Sequence, residues 1–344
     1  MVVIGHSYAM VTTKGDPFYF YLGGYDSGGG FGLAIFFVIS GYLVSQSVLR
    51  RSTADYLVSR VLRIVPALCL VTCVEVLVIG PIFTKLSLAE YFSSGVTLGR
   101  FWNPAVFPIT FTLPGVFTSL PIPRVNGSLW TLPVECSFYL VLPIIAFFGA
   151  LSRRGSIIIV CLSIVGYFVA TTYFSLGWDA RGPELLRGVS LYVALRYAVF
   201  FVLGAALWVN RDRVPVTGGG AMLCCILLFA GVGAPASVLL YMLCLPYLVI
   251  YVATKTPVVP IRKIGDLSYG LFLFAWPIQQ SLQETFSHIG PRTLTITATA
   301  IGLAVAYASY WTVESRFLKL RKKRRAELHA VATDERTPKI AAVS

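Results

Sequence analysis

Long apolar runs, separated by short polar or glycine- and proline-bearing stretches, recur along the whole chain. They lie at 31–49, about 62–83, 131–150, 156–175, 190–209, 218–233, 237–254, 266–285 and 293–313. Several reach the ~20 residues that an α-helix needs to cross a bilayer core. A first run, 1–12, is equally apolar, but at helical rise it covers about 18 Å of a roughly 30 Å core. The pattern predicts an all-α, polytopic membrane protein with about ten transmembrane helices, counting the short first one. No internal repeat is visible.

Two interruptions are longer than a turn. Residues 13–30 are polar and end in GGYDSGGGFG. They read as a flexible linker, because no Lys or Ser/Thr follows at the spacing of a phosphate-cradling loop. Residues 84–130 include LGRFWNPAVFPITFTLPGVF, with too many breakers for an ordinary helix. They predict a long irregular outer loop between the third and fourth spans, with part of it dipping toward the membrane, where non-helical backbone must be buried in protein or line a cavity.

Composition agrees with a membrane chain. Of 344 residues, 56% are hydrophobic and 12% charged, against roughly 25% charged in a soluble domain. The net charge is 28 − 15 = +13, and its placement sets the topology. Alternate connections carry Arg50, Arg51, Arg60 and Arg63, then Arg153 and Arg154, Arg211 and Arg213, Lys255, Arg262 and Lys263, and finally the tail. The positive-inside rule then puts both termini in the cytoplasm and the 84–130 loop outside, in a cell's inner (plasma) membrane. The segment RFLKLRKKRR, 316–325, has seven basic residues in ten. It divides the chain into a single transmembrane domain, 1–315, and a basic cytoplasmic tail, 316–344, that lies on anionic lipid. Nucleic acid is not an expected partner, because every comparable basic cluster abuts a span. The first run lacks the flanks of a cleavable signal peptide. The seven cysteines fall in apolar runs with no CxxC pair, so they read as small buried hydrophobes and no metal site is expected.

Against this background a few polar residues stand out. His6 is the one histidine inside a predicted span; it suits a general base near neutral pH, or a hydrogen bond to a neighbouring helix. Glu135 lies just inside the entrance of the fourth span, where a carboxylate is costly enough to suggest function. It could orient an imidazole or accept a hydroxyl. Glu75 in the third span and Arg196 in the sixth are further intramembrane charges, serving substrate or structure. Buried opposite charges pair, so Arg196 is expected against Glu75 or Glu135. Arg60 and Arg63, three apart, share a helix face. Either they anchor topology, or they clamp the phosphates of a cytoplasmic donor, a task that suits the guanidinium fork.

Five segments, in order, carry a family resemblance: GLAIFFVISGYLV, SRVLRIVP, NGSLWTLPVECSFYLVLP, IGDLSYGLFLFAWPI and VESRFLKL. Together they resemble acyltransferase family three, ten-helix membrane enzymes that O-acylate sugars. The resemblance implies an acyl-CoA donor, with acetyl-CoA expected, used as co-substrate with no permanently bound cofactor. It also implies a sugar hydroxyl acceptor in a surface polysaccharide, lipid-linked saccharide or glycoside, and a first-helix histidine as base, matched here by His6 in IGHS. The family places an Arg eleven residues before that His, a position preceding Met1, so an upstream start supplying it is expected. A His also commonly stands before the Trp-Pro of the ninth span, where this chain has Ala275. The expected reaction is direct transfer, with His6 as base, Glu135 orienting it or the acceptor, and Arg60 and Arg63 on the donor phosphates. A route through Ser7 or Ser40 needs a base within hydrogen-bonding reach. The alternative reading is a transporter or flippase of a lipid-linked saccharide, against which the missing internal symmetry speaks.

Overall fold

The computed structural model describes residues 1–12, 15–173, 184–186, 189–257 and 265–319. Within them every predicted apolar run is helical. In order, α1 is Val2–Val11, α2 Gly28–Arg50, α3 Thr53–Phe83, α4 Gly127–Phe147, α5 Arg153–Tyr173 and α6 Leu191–Val209. Then come α7 Gly218–Ala230, α8 Ser237–Lys255, α9 Ser268–Thr285 and α10 Pro291–Lys319. Among the described residues seven helices, α2 to α6, α8 and α10, are long and apolar enough to cross a membrane. Helices α1 and α7 are apolar but shorter, and α9 carries Gln279, Gln280 and Gln283.

Local chemistry starts the helices where the runs begin. The Ser27 hydroxyl accepts the Gly30 N–H at 3.0 Å ahead of α2, and Ser52 accepts the Asp55 N–H at 3.2 Å ahead of α3. Thr217 does the same for Gly220 before α7. Such caps satisfy donors that the first turn leaves unpaired. Inside the bundle, α2 and α6 approach backbone to backbone. A Cβ on Gly41 would meet the Phe201 carbonyl at 1.9 Å, and one on Gly204 the Val38 carbonyl at 2.1 Å. Small residues permit this contact between membrane helices. The surrounding core is largely aliphatic and aromatic, with Phe37, Leu68, Tyr197, Phe200 and Leu273 buried in one cluster.

Several expectations change here. The 13–30 stretch is not simply a flexible linker. Asp16 is buried; its carboxylate accepts the Phe18 N–H and the Gly28 N–H at 2.9 Å each, tying a short helix, Pro17–Tyr21, to the start of α2. Gly28, Gly29 and Gly30 are themselves the first turn of α2. The segment between α3 and α4 contains short helices Leu88–Ser93 and Gly95–Arg100 and closes on a small apolar cluster of Val76, Tyr91, Leu113, Val116, Phe117 and Val125. A short antiparallel pair, Glu184–Leu186 with Val189–Ser190, precedes α6 and is not foreshadowed by the apolar pattern. Among the cysteines Cys244 is buried, whereas Cys69, Cys73, Cys161 and Cys225 face outward.

Contacts between helix ends gather the basic residues on one face. Arg50, ending α2, stands over Trp208 near the end of α6. Arg153 at the start of α5 pairs with Asp212, and Arg63 of α3 with Asp266 just before α9. Arg262, Lys263 and the tail from residue 320 lie outside the described residues.

Candidate functional site

A cavity of about 260 Å³ opens among α1, α2, α3, α4 and α9, with His6, Arg63, Thr131, Glu135 and Ala275 in its wall. His6 reaches it because α9 fixes α1. Gln279 Nε2 donates to the Val3 carbonyl at 2.8 Å and to Ser7 Oγ at 2.6 Å, and Gln283 Nε2 donates to the Met10 carbonyl at 3.0 Å. Two of the three glutamines that lower the hydropathy of α9 thus hold α1, and the third, Gln280, donates to the Ile122 and Arg124 carbonyls ahead of α4. The His6 ring packs edge-on against Trp276, centroids 4.7 Å apart at 74°. Trp276 is held in turn, its indole N–H donating to the Arg124 carbonyl at 3.0 Å. Beneath it lies Gly127, whose Cβ would fall 2.4 Å from the indole. His6 is partly buried as a residue, and its Nδ1 is enclosed without a hydrogen-bond partner.

Glu135 is buried on α4. Tyr139, one turn later on the same helix face, donates its hydroxyl to the Glu135 carboxylate. That orders the next link: with the Tyr139 proton committed, Ser40 Oγ, 3.2 Å from the Tyr139 oxygen, is the donor of that pair. A chain Ser40–Tyr139–Glu135 results. The Arg60 guanidinium stands over the rings of Tyr139 and Tyr56 at 5.5 and 5.9 Å, and the Tyr56 hydroxyl donates to the Tyr139 carbonyl. Arg63 lines the cavity and donates to Asp266 at 3.1 Å. Both side chains of that pair are about half exposed, 42% and 50%, so it contributes about 1 kcal/mol at most and leaves Arg63 open to another anion. Burial pushes the Asp266 carboxyl up, but the Ser268 hydroxyl and Arg63 together hold it below the usual carboxylate range.

The six singled-out residues therefore separate. His6, Glu135 and Arg63 share one cavity, and Arg60 sits behind Tyr139. No described hydrogen bond joins His6 to Glu135, whose partner is Tyr139. Glu75 is fully buried elsewhere, accepting from Arg100 at 2.5 Å and from Asn126 Nδ2 at 2.7 Å. Arg196 pairs neither with Glu75 nor with Glu135, contrary to expectation, but with Asp26 at 2.7 Å. The Tyr241 hydroxyl donates to the same Asp26 oxygen. The reason is the folding back of the interhelical segments, which delivers Arg100 and Asp26 to charges deep in the bundle. No described hydrogen bond joins either serine of the alternative route to His6: Ser7 donates to the Val3 carbonyl and Ser40 pairs with Tyr139. Sequence reasoning missed Tyr139, Asp266, Trp276 and Arg100. The four-residue spacing from Glu135 is a signal for the first; Asp266, just before a span in IGDLSYG, is a weaker one.

A family model described as an acyltransferase domain matches residues 1–311. The chain is similar to an O-acetyl transferase of Shigella phage Sf6, 28% identical over 92% of this chain and 92% of that protein. It is also similar to nodulation protein 10 of Rhizobium leguminosarum, 28% identical over 84% and 82% of the two chains. A peptidoglycan O-acetyltransferase of Listeria monocytogenes is 24% identical over 85% of this chain, which spans 52% of that protein. No solved structure matches.

Proposed function

Because the chain belongs to the acyltransferase family whose model covers nearly all of it, we propose that this membrane enzyme moves an acetyl group from acetyl-CoA to a sugar hydroxyl. The observation that carries the reading is the single cavity that holds His6 and Glu135 together and extends to Arg63. His6 takes the proton of the acceptor hydroxyl through a ring nitrogen. The oxygen attacks the thioester carbonyl, forming the new ester C–O bond. The C–S bond breaks, and the thiolate of coenzyme A leaves with the proton that the imidazolium returns. Glu135, already hydrogen-bonded by Tyr139, holds the acceptor or stabilises the imidazolium from across the cavity. Arg63, released from its exposed pair, takes a donor phosphate, and Arg60 reinforces the positive potential from above Tyr139.

The acceptor is a sugar in a surface polysaccharide, lipid-linked saccharide or glycoside, a class in keeping with the peptidoglycan named for one relative. All ten helices cross the inner membrane, with both termini in the cytoplasm and the segment between α3 and α4 outside. Ala275, where the family resemblance expects a histidine, lines the same cavity, so the imidazole that faces the substrate is that of His6. The test is transfer from radiolabelled acetyl-CoA by the purified protein in liposomes without any ion gradient. Acceptor-dependent release of coenzyme A supports the reading. Uptake of a lipid-linked saccharide without acyl transfer overturns it in favour of a transporter.

A further inference from the structure

A second polar feature lies at the basic face, away from His6. The ends of α2, α6 and α8 enclose a cavity of about 220 Å³, lined by Tyr42, Arg211, Ile250, Thr254 and Lys255 among others. The Arg211 guanidinium stacks on the Trp208 ring at 4.0 Å, and its Nη1 donates to the Trp208 carbonyl at 2.9 Å. Tyr42 meets the same ring edge-on at 5.2 Å, and Arg50 stands over it at 5.1 Å. A guanidinium fixed at one nitrogen by a carbonyl, and in plane by an indole, presents its remaining N–H groups with little further ordering. Among the described residues the ion pairs engage Arg63, Arg100, Arg153 and Arg196, and none engages Arg50, Arg211 or Lys255. The cavity is therefore cationic and uncompensated.

A second observation says what fills it. An apolar groove of about 870 Å³ runs between α2, α7 and α8. Its wall includes Ile35 and Ile39 of α2 and extends along α8 from Tyr241 to Ala253. On α2, Tyr42 of the cationic cavity follows Ile35 and Ile39 on the same helix face, so along α2 the groove ends about one helical turn from the cavity; on α8, Ile250 and Thr254 of the cavity flank the helix on a different face from the groove residues. The twelve helical steps from Tyr241 to Ala253 rise about 18 Å, against roughly 15 Å for half of a bilayer core.

We propose that cavity and groove together bind one anionic phospholipid of the leaflet bordering the basic face, with its phosphate beside Arg211 and Lys255 and an acyl chain passing Tyr42 into the groove along α2. The phosphates of a soluble donor share the headgroup chemistry but supply no chain for the groove. The inference rests on the bundle crossing a membrane and not on the identity of the acceptor.

The test uses the purified full chain in neutral detergent. Dioleoyl phosphatidylglycerol is titrated with dioleoyl phosphatidylcholine as control, read by native mass spectrometry and by the thermal midpoint. Wild type is expected to retain phosphatidylglycerol selectively and to gain thermal midpoint with it. R211Q/K255Q is expected to raise the half-saturating concentration about tenfold or more, the scale of charge-assisted phosphate contacts. V252W, placed in the exposed groove wall, is expected to weaken binding with the cations intact, and it decides the matter with K255Q alone if the double variant does not fold. R316Q/K319Q removes the same charge from exposed positions near the end of α10 and is expected to have no effect. Equal weakening by R316Q/K319Q, equal retention of phosphatidylcholine, or displacement of phosphatidylglycerol by coenzyme A overturns the proposal.

Discussion

At the scale of the residue, the chemistry turns on what each polar side chain is already bonded to. His6 has an enclosed, unpartnered Nδ1 and a ring set by Trp276, so removing the imidazole should leave the packing of α1 with Gln279 and Gln283 in place. His6→Gln is expected to lose about 10²–10⁴-fold in kcat, the usual scale for a general base, with an unchanged thermal midpoint. Retained transfer by the folded variant would sink the mechanism. Arg63 offers a sharper test, because its exposed partner can be removed without touching it. Asp266→Asn frees the guanidinium and is expected to lower the KM for acyl-CoA. Arg63→Gln is expected to raise it about tenfold, the scale of one charge-assisted hydrogen bond to phosphate. If KM moves the same way in both, Arg63 acts through the position of α9 and not on the donor. His6 and Glu135 were legible in the sequence because the first is the one histidine, and the second the one carboxylate, inside its apolar run. Their partners were not. Tyr139 reads as one more aromatic until Glu135 is placed one turn before it, and Trp276 meets His6 only because α9 carries it there across 270 residues of chain.

At the scale of the element, apolar length was enough to find the helices, whereas the connections held the surprises. A buried acid in α3 and an arginine in the following segment are far apart in their local patterns, yet Glu75 and Arg100 form an ion pair with no exposure on either side chain. Arg100 also donates to the Thr110 carbonyl, and Asn126 bridges Glu75 to the Leu273 carbonyl of α9 at 2.9 Å. The pair therefore pins the segment between α3 and α4 to both α3 and α9, at a π-helical turn, Glu75–Ile79. Glu75→Gln keeps an acceptor for Asn126 but strands the arginine, and is expected to cost about 3–5 kcal/mol, seen as a fall in thermal midpoint. Adding Arg100→Met removes the stranded charge and is expected to recover part of that loss. A single variant as stable as wild type would mean that the segment is held by its apolar cluster instead. Asp26 illustrates the same limit of pattern reading. Surrounded by glycines, it looks like linker, and its meeting with Arg196 depends on how α2 and α6 close on Gly41 and Gly204.

At the scale of the whole molecule, the question is whether the three helices that fall short on length or apolarity still run from face to face. Helix α7 has 13 residues, about 20 Å at helical rise. Its start is tied to the basic face, where the Tyr247 hydroxyl accepts the Thr217 N–H and donates to the Pro215 carbonyl. Near its other end the Leu228 carbonyl accepts the hydroxyl of Tyr25, which lies before α2. Helix α9 begins beside Asp266, on the basic face with Arg63. Toward its far end Glu284 accepts from Ser119 of the segment between α3 and α4 at 2.6 Å. These contacts support the proposal that both helices connect the two faces, and α1 lies along α9 by way of Gln279 and Gln283. The side-chain amide N–H groups of Gln279, Gln280 and Gln283 on α9 donate to protein oxygens and not to lipid, and these three glutamines are what lower its hydropathy. This arrangement fixes a labelling pattern. Single cysteines at Ser93, Ala236 and His288, all exposed, belong to one face, and one at Arg213 belongs to the other. With a membrane-impermeant maleimide on intact cells, the first three are expected to react above the background of the native cysteines. The fourth is expected to react only after permeabilisation. If α7 does not cross, Ala236 stays unlabelled until permeabilisation; if α9 does not, His288 does. Either result changes the number of crossings and inverts every helix that follows.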